Sequence, residues 1–322
     1  MKEKFLFIVY LLAPFFLISQ NNFNPLLIKS WPNSKSSISI GSPTGLGIDS
    51  KNNLVIFHRS GREWTNPLPI DKIKANVISH LNIKSEQVIN SWGSNMFVMP
   101  HGLEIDKNDN IWVTDVALHQ VFKFNLKGEL LLTLGKPYEP GNDSNHFNMP
   151  TDVTVLNDGS FYVSDGYGNS RIIKFSKKGK YLFQIEGFGN GKNEFNIPHG
   201  IDNDNLNNIF VADRENNRIK KFDNNGNLLK IWQNNVSQQL YSVKFDNKNN
   251  LVYAIDYYIK GESKIMGSNI FILDKDLNLI NKFGRSGNYE GLISRYHDIE
   301  IDQVGNLYTA DILNNVVQYF KL

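Results

Sequence analysis

The sequence predicts an all-β protein, a six-bladed β-propeller of four-stranded blades. The segment Met99–Asp106 contains Pro-His-Gly, and a similar segment returns 98 residues later at Ile197–Asp202. A third copy, Tyr296–Asp302, follows after another 98 residues, and Met149–Val155 is a related segment without histidine, about halfway between the first two. The repeat is therefore about 50 residues long, a period typical of propeller blades.

Each repeat contains recognisable strands. The first is an apolar-alternating strand, and the second ends in aspartate in five of the units: Ile111–Asp115, Phe161–Asp165, Ile209–Asp213, Val252–Asp256 and Leu307–Asp311. Alternation of β-branched and aromatic residues predicts strands, and the intervening Asn, Asp and Gly clusters predict turns. A third and a fourth strand follow, for example Gln120–Phe124 and Leu130–Leu134.

The number of units is six. An earlier unit begins at Pro43 and another at Tyr241, with insertions around residues 60–86 and 257–268. The last unit has only three strands, and we expect Leu26–Trp31 to supply its fourth. Pairing the start of the chain with the last blade closes the ring and covers two strand edges. We therefore predict one propeller domain over residues 24–322.

Residues 1–20 have a different composition. Lys2 and Lys4 precede an apolar run over residues 5–18 that is interrupted by Pro14, a pattern that predicts a secretory signal peptide. An uncleaved anchor is the alternative. The expected location is secreted or periplasmic, with no membrane association after cleavage.

Composition excludes several functions. The net charge is only +2 over 322 residues, so we expect no nucleic-acid partner, and we interpret the lysine pairs 177–178 and 220–221 as solvated surface. The absence of cysteine excludes disulfides, thiolate metal sites and a cysteine nucleophile.

Three histidines share one position of the repeat. Aligned units place six residues at the same point of the first strand, which lines the channel: Thr44, His101, Thr151, His199, Tyr241 and His297. Histidines in alternate blades would converge on the axis about 120° apart. Three imidazoles with an open fourth position are the pattern of catalytic zinc. The alternative is a duplicated core residue without a metal. The remaining histidines, at positions 58, 80, 119 and 146, do not share this register and are not expected to be ligands.

A second set of residues follows the second strands. Arg59 and Arg214 take equivalent positions after these strands, and Tyr167 lies one step further along in the third blade. Two arginines beside a metal would suit a ligand with a carboxylate, which arginine binds through two parallel hydrogen bonds. Surface ion pairs with Glu215 or Asp213 are the alternative.

The residues resemble those of a known family. The units resemble NHL repeats, and several runs are similar to peptidyl-α-hydroxyglycine α-amidating lyases: residues Asn53–Arg59, Trp112–Lys123, Ser164–Arg171 and Val211–Asn216. The resemblance covers most of the chain after about residue 40.

This resemblance implies roles for individual residues. His101, His199 and His297 correspond to zinc ligands, Tyr167 to the catalytic base, and Arg59 and Arg214 to active-site arginines. The family also has a structural calcium, and the matching positions are Leu46, Leu103 and Asp298. The chain departs from the animal enzymes at Gly168, where a disulfide partner would stand, and at Tyr296, which replaces a proline.

The resemblance also implies a reaction. The expected substrate is a peptide ending in α-hydroxyglycine, made by a separate peptidylglycine monooxygenase, and the products are the peptide amide and glyoxylate. Zinc would bind the substrate hydroxyl and Tyr167 would remove its proton, with Arg214 and the zinc favouring the ionised tyrosine. One alternative is an NHL propeller that binds a protein or glycan around a purely structural metal. A lactonase-type hydrolase ranks third because such sites generally bind calcium through carboxylates.

Overall fold

The computed structural model describes residues 25–32, 39–235, 239–260, 264–284 and 293–322. Across these ranges the secondary structure is entirely β, with 25 strands and no helix. No helix long and apolar enough to cross a bilayer occurs in the described part of the chain. The predicted signal peptide, residues 1–20, lies outside the described residues.

In chain order the strands are β1 (Leu26–Trp31), β2 (Pro43–Ile48), β3 (Leu54–His58), β4 (Ile78–Leu81), β5 (Val88–Trp92), β6 (Pro100–Ile105), β7 (Ile111–Asp115), β8 (Gln120–Phe124), β9 (Leu130–Leu134), β10 (Asp152–Val155), β11 (Phe161–Asp165), β12 (Arg171–Phe175), β13 (Tyr181–Glu186), β14 (Pro198–Asn203), β15 (Ile209–Asp213), β16 (Arg218–Phe222), β17 (Leu228–Gln233), β18 (Gln239–Asp246), β19 (Leu251–Lys260), β20 (Lys264–Gly267), β21 (Asn269–Asp274), β22 (Leu279–Gly284), β23 (Tyr296–Ile301), β24 (Leu307–Asp311) and β25 (Val316–Lys321).

These strands form six antiparallel sheets, one for each blade. Blades one to four are β2–β5, β6–β9, β10–β13 and β14–β17, and blade five is β18, β19, β21 and β22. The first strands contact one another in sequence, and β23 contacts β2, so the ring is closed. The six-bladed propeller predicted from the repeats is confirmed.

Blade six joins the two ends of the domain. Its order is β1-β25-β24-β23, and Trp31 of β1 is paired with Val317 of β25. The predicted closure by Leu26–Trp31 is therefore confirmed. Trp31 is buried in a cluster that also contains Ile40, Leu46 and Tyr308, so closure is accompanied by apolar packing between blades six and one.

Two expectations change in detail. The stretch 60–86, predicted to be an insertion, contains Ile78–Leu81, which pairs with β3 as the third strand of blade one. The inserted segment is thus shorter, because it ends before β4. In blade five, β19 runs on to pair with β20, so this insertion extends the blade as a hairpin.

The prediction that the lysine pair 220–221 is solvated surface is wrong. Both residues belong to β16 and are buried. The Lys220 ammonium lies 4.3 Å from the centroid of the Phe195 ring and donates to the Lys192 carbonyl at 2.9 Å. The stem of a lysine can be buried when its ammonium group finds such partners.

β-Bulges re-aim the residues on the axis. The register shifts between Pro100 and Leu103, between Pro198 and Ile201, and between Tyr296 and Asp298. Each axial histidine lies inside one of these irregularities. A bulge inserts a residue that is free of the ladder and turns its side chain. The fold therefore interrupts its strand pairing where the histidines face the channel.

Candidate metal centre and active site

Three histidines meet on the propeller axis. His101, His199 and His297 are buried, and one ring nitrogen of each lies within 4.8 Å of the others. Their ring centroids are 4.5 to 4.9 Å apart. Three nitrogen donors from alternate blades thus converge on one point, an arrangement that fits a metal with an open fourth position.

The outer nitrogen of each ring is held by a neighbouring blade. The Nδ1 atoms of His101, His199 and His297 lie 2.6, 2.8 and 2.8 Å from main-chain carbonyl oxygens of the next blade. A carbonyl only accepts hydrogen bonds, so each Nδ1 carries the proton and each Nε2 presents its lone pair to the axis. The Nε2 atom of His297 is buried and has no hydrogen-bond partner within the described ranges.

The imidazoles are also held in their neutral form. Burial lowers the pKa of all three histidines well below the ordinary value, and neighbouring positive groups such as Arg59 and Arg214 lower it further. Neutral imidazole is the form that binds metals. The tautomer, the charge and the unpartnered nitrogen therefore all fit a divalent metal at this point.

Glycines allow the close approach of the inner strands. A Cβ atom on Gly102 would lie 2.6 Å from the Thr151 carbonyl oxygen, which is the acceptor for His101. A Cβ atom on Gly200 would lie 2.6 Å from the Cα atom of Ser242. The glycine after each of these two histidines thus leaves room for the neighbouring blade.

Tyr167 lies directly over the histidine cluster. Its hydroxyl is 3.1 Å from Nε2 of His101 and 3.1 Å from Nε2 of His199. Its ring contacts that of Trp64, with centroids 5.0 Å apart. The phenolic oxygen is therefore next to the two nitrogens that would bind a metal.

The two predicted arginines reach the same mouth of the channel. Arg214 donates from Nη1 to the Tyr167 hydroxyl at 3.3 Å, and it also pairs with Glu215, at 2.8 Å from Nη2. Arg59 is buried, donates from Nε to the Pro100 carbonyl at 3.1 Å and lies 5.4 Å from the Trp64 ring. Arg214 thus forms the ion pair with Glu215 that the sequence left as the alternative, and it contacts the site as well.

The pKa of Tyr167 is raised by burial. Arg214, Arg59 and Arg295 lower it, and Tyr241 raises it. Burial outweighs the three arginines because the phenolate would lose its hydration. The arginines alone therefore do not make this tyrosine a base near neutral pH, and a metal cation next to its oxygen would be needed.

Hydrogen bonds at the end of β15 fix the position of Arg214 relative to His199. Asp213, at the end of β15, accepts from the Asn196 amide at 2.7 Å, and the Arg214 amide donates to the Ile197 carbonyl at 3.0 Å. Ile197 has a positive φ of 57°, which is rare for a β-branched residue. The aspartate thus ties the segment before His199 to the strand end that presents Arg214.

The predicted calcium positions follow the ring of axial residues along the first strands, and Asp298 lines the same cavity as the three histidines. Asp298 accepts from the Leu46 amide at 2.8 Å and from the Ser242 hydroxyl at 2.8 Å. Burial raises the pKa of Asp298 to about 6. Burial and repulsion from Asp298 raise the pKa of Asp152 well above its ordinary value. Two half-buried carboxylates in this cavity fit a cation, while the ligand set of Leu46, Leu103 and Asp298 stays a prediction.

The remaining histidines have partners elsewhere. His58 lies 3.3 Å from the Ser79 hydroxyl, His80 2.9 Å from Asp49, and His146 2.8 Å from Asp143. His119 accepts from the Met149 amide at 3.0 Å. None of these four belongs to the axial cluster.

Sequence reasoning missed three side chains at the mouth. The repeat alignment places Tyr241 in the axial ring without giving it a role, and it includes neither Arg295 nor Trp64. Arg295 donates from Nη2 to the Tyr241 hydroxyl at 2.6 Å. The available signal was its place two residues before His297, where the other histidine repeats have Met99 and Ile197.

Comparison with known families agrees with the fold. A family model described as "6-bladed beta-propeller" matches residues 140–317, and a model described as "NHL repeat" matches residues 97–124. A solved structure titled "Streptogramin B lyase structure" superimposes with a TM-score of 0.56 at 16% identity, over 93% of this chain and 98% of that one. At that identity the likeness supports the fold alone.

Curated relatives are more similar in sequence. Peptidyl-alpha-hydroxyglycine alpha-amidating lyase 2 of Drosophila melanogaster is 40% identical over 210 residues, which is 61% of this chain and 50% of the relative. Peptidyl-glycine alpha-amidating monooxygenase B of Xenopus laevis is 35% identical over 318 residues, which is 90% of this chain and 35% of the relative. The chain thus spans half or less of the length of these two relatives. The resemblance to amidating lyases stated from the sequence is confirmed.

Proposed function

The chain belongs to the six-bladed β-propeller family, and we propose that it is a zinc-dependent lyase that cleaves peptides ending in α-hydroxyglycine into the peptide amide and glyoxylate. Relatives named as peptidyl-α-hydroxyglycine α-amidating lyases support a lyase enzyme. The observation that carries the proposal is the position of the Tyr167 hydroxyl, 3.1 Å from the Nε2 atoms of both His101 and His199 and 3.3 Å from Arg214.

Zinc would be held by Nε2 of His101, His199 and His297, and it would supply Lewis acidity toward the substrate hydroxyl oxygen. The carbonyl bonds to the three Nδ1 atoms keep the rings in the binding tautomer. Asp298, with Leu46 and Leu103, is proposed to hold a structural calcium below them.

The side chains at the mouth orient the substrate and move its proton. Arg59 would bind the carboxylate of the hydroxyglycine, which fixes the hydroxyl near the tyrosine. Tyr167 would accept the hydroxyl proton while the C–N bond breaks and the carbonyl of glyoxylate forms. The same proton then passes to the departing amide nitrogen. Arg214 would stabilise the phenolate by its hydrogen bond to the phenolic oxygen.

The proposal includes a cellular location and a source for the substrate. Residues 1–20 would export the protein to the periplasm or the outside of the cell, and a separate peptidylglycine monooxygenase would supply the hydroxylated peptide. The proposed reaction requires neither a nucleic acid nor a membrane.

A direct assay tests the proposed function. The purified protein, loaded with zinc, is incubated with α-hydroxyhippurate, and glyoxylate and benzamide are quantified. We expect equal amounts of both products and loss of turnover after the metal is removed by a chelator. A metal-loaded protein that releases neither product would favour a propeller that binds a protein or glycan around a structural metal.

A further inference from the structure

Arg295 is a third arginine at the mouth of the channel. Its amide donates to Asp311 at 3.1 Å, and its carbonyl accepts from Ile312 at 3.0 Å, which fixes its backbone at the start of β23. The guanidinium lies 4.6 Å from the Tyr257 ring and 5.6 Å from the Tyr241 ring. Two aromatic faces and one hydroxyl thus hold this cation over the site.

One donor of this guanidinium is unused. The Nε atom of Arg295 is buried and has no hydrogen-bond partner among the described residues. A buried donor left without a partner is costly, and its presence in a channel mouth indicates a ligand that supplies the acceptor.

The positive charge of the mouth exceeds its negative charge. Of the arginines at positions 59, 214 and 295, only Arg214 has an ion pair with a carboxylate in the described part of the chain, and that partner is Glu215. Burial lowers the pKa of Arg59 to about 10, and the charge of Arg295 contributes to this lowering. Arg59 and Arg295 come from the adjacent blades one and six, so a single anion between them would relieve both charges.

We propose that Arg295, together with Arg59, binds the carboxylate of the substrate, so that the mouth selects α-hydroxy acids over their uncharged esters. This inference rests on the proposed lyase function. The aromatic faces hold Arg295 in place, and its Nε–H, which no described residue accepts from, would donate a hydrogen bond to the carboxylate. Since Arg214 is already engaged by Tyr167 and Glu215, it stays assigned to the phenolic oxygen.

The test compares an acid with its ester. Benzamide release from α-hydroxyhippurate and from its methyl ester is measured for the wild type, Arg295→Gln and Arg295→Lys. We expect kcat/KM for the acid to fall about 10- to 100-fold in Arg295→Gln, as for loss of a charged hydrogen bond. The value for the ester should change less than about twofold, and Arg295→Lys should recover part of the loss because it keeps the charge.

A matched control removes a positive charge elsewhere. Lys178 is exposed in the turn between β12 and β13, at the end of the blade opposite the mouth, and Lys178→Gln should behave as the wild type. Equal losses of kcat/KM for acid and ester in Arg295→Gln would overturn the inference, since a general disturbance of the site affects both substrates.

A binding measurement separates this inference from the proposed reaction. Hippurate carries the carboxylate but lacks the hydroxyl, so it can be titrated into the zinc-loaded protein by calorimetry whether or not the protein is a lyase. We expect hippurate to bind the wild type and to bind Arg295→Gln about 10-fold or more weakly. Equal affinities, or no binding to the wild type, would overturn the role of Arg295 even if glyoxylate is formed.

Discussion

At the residue scale, the axial ring divides two tasks between alternate blades. Blades two, four and six supply His101, His199 and His297, and the next blade in each case supplies a carbonyl that accepts from Nδ1. These carbonyls belong to Thr151, Tyr241 and Thr44. Six imidazoles at these positions would crowd the axis, so the alternation of histidine with other residues in the sequence has a physical basis.

The histidine cluster gives the first prediction. His199→Ala should lose both zinc and lyase activity, because two imidazoles leave the metal without its third protein ligand. Metal content after dialysis and glyoxylate formation are the measurements. His146→Ala, which alters a histidine outside the cluster that contacts Asp143, should keep both. Full zinc occupancy in His199→Ala would contradict the proposed ligand set.

Tyr167 gives the second prediction. Tyr167→Phe should lower kcat about 10²- to 10⁴-fold, the usual effect of removing a general base, while zinc content stays unchanged. Tyr162→Phe is the control, because the Tyr162 hydroxyl donates to the Asn224 carbonyl away from the site. Stopped-flow or steady-state glyoxylate assays measure both. Turnover of Tyr167→Phe at the wild-type level would remove Tyr167 from the reaction.

At the scale of elements, the closing strand β1 makes a specific contribution to stability. Trp31 is buried between blades six and one, whereas Leu26 at the other end of β1 is 60% exposed. Closure thus depends on one end of this strand more than on the other.

Trp31→Ala should therefore destabilise the domain by about 3–5 kcal/mol, the usual cost of truncating a buried aromatic side chain. Leu26→Ala should change the free energy of unfolding by less than about 0.5 kcal/mol. Urea unfolding at a fixed zinc concentration measures both variants. Equal unfolding midpoints for the two would show that β1 does not contribute through apolar packing.

At the scale of the whole molecule, the repeat explains which features the sequence predicts. Six blades, their strands and the closure by Leu26–Trp31 follow from a period that recurs along the chain, and so does the meeting of the histidines on the axis. The third strand of blade one, Ile78–Leu81, was missed because the inserted segment before it shifts the spacing. Arg295 and Trp64 were missed because they lie in segments between strands, where the path of the backbone decides which side chains meet.

The charges inside the channel were also beyond sequence reasoning. Lys244, three residues after Tyr241, lies 3.1 Å from Glu104, 3.7 Å from Asp202 and 3.0 Å from Glu300. All four groups are buried or nearly so, and they come from four different blades. One ammonium faces three carboxylates, so the cluster carries an excess of negative charge that depends on pH.

Glu104 gives the last prediction, which concerns this excess. Burial raises the pKa of Glu104 to about 8, and Asp202 and Glu300 add to the rise against the lowering by Lys244. A folded-state pKa above the ordinary glutamate value of 4.5 means that the folded protein holds a proton that the unfolded chain has released. The contribution of Glu104 to stability is therefore present at pH 4 and is lost as the pH rises toward 8.

Glu104→Gln removes this loss, because the amide is neutral at every pH and its oxygen can still accept from Lys244. The variant should be about as stable as the wild type at pH 4. Above pH 8 its free energy of unfolding should exceed that of the wild type by more than ~1.4 kcal/mol, the equivalent of one pKa unit. Glu63→Gln, at an exposed glutamate, should follow the wild type throughout. Urea unfolding at a series of pH values measures all three proteins. A Glu104→Gln variant that is less stable than the wild type at pH 9 would contradict the prediction. It would show that attraction to Lys244 outweighs burial and the repulsion from the neighbouring carboxylates.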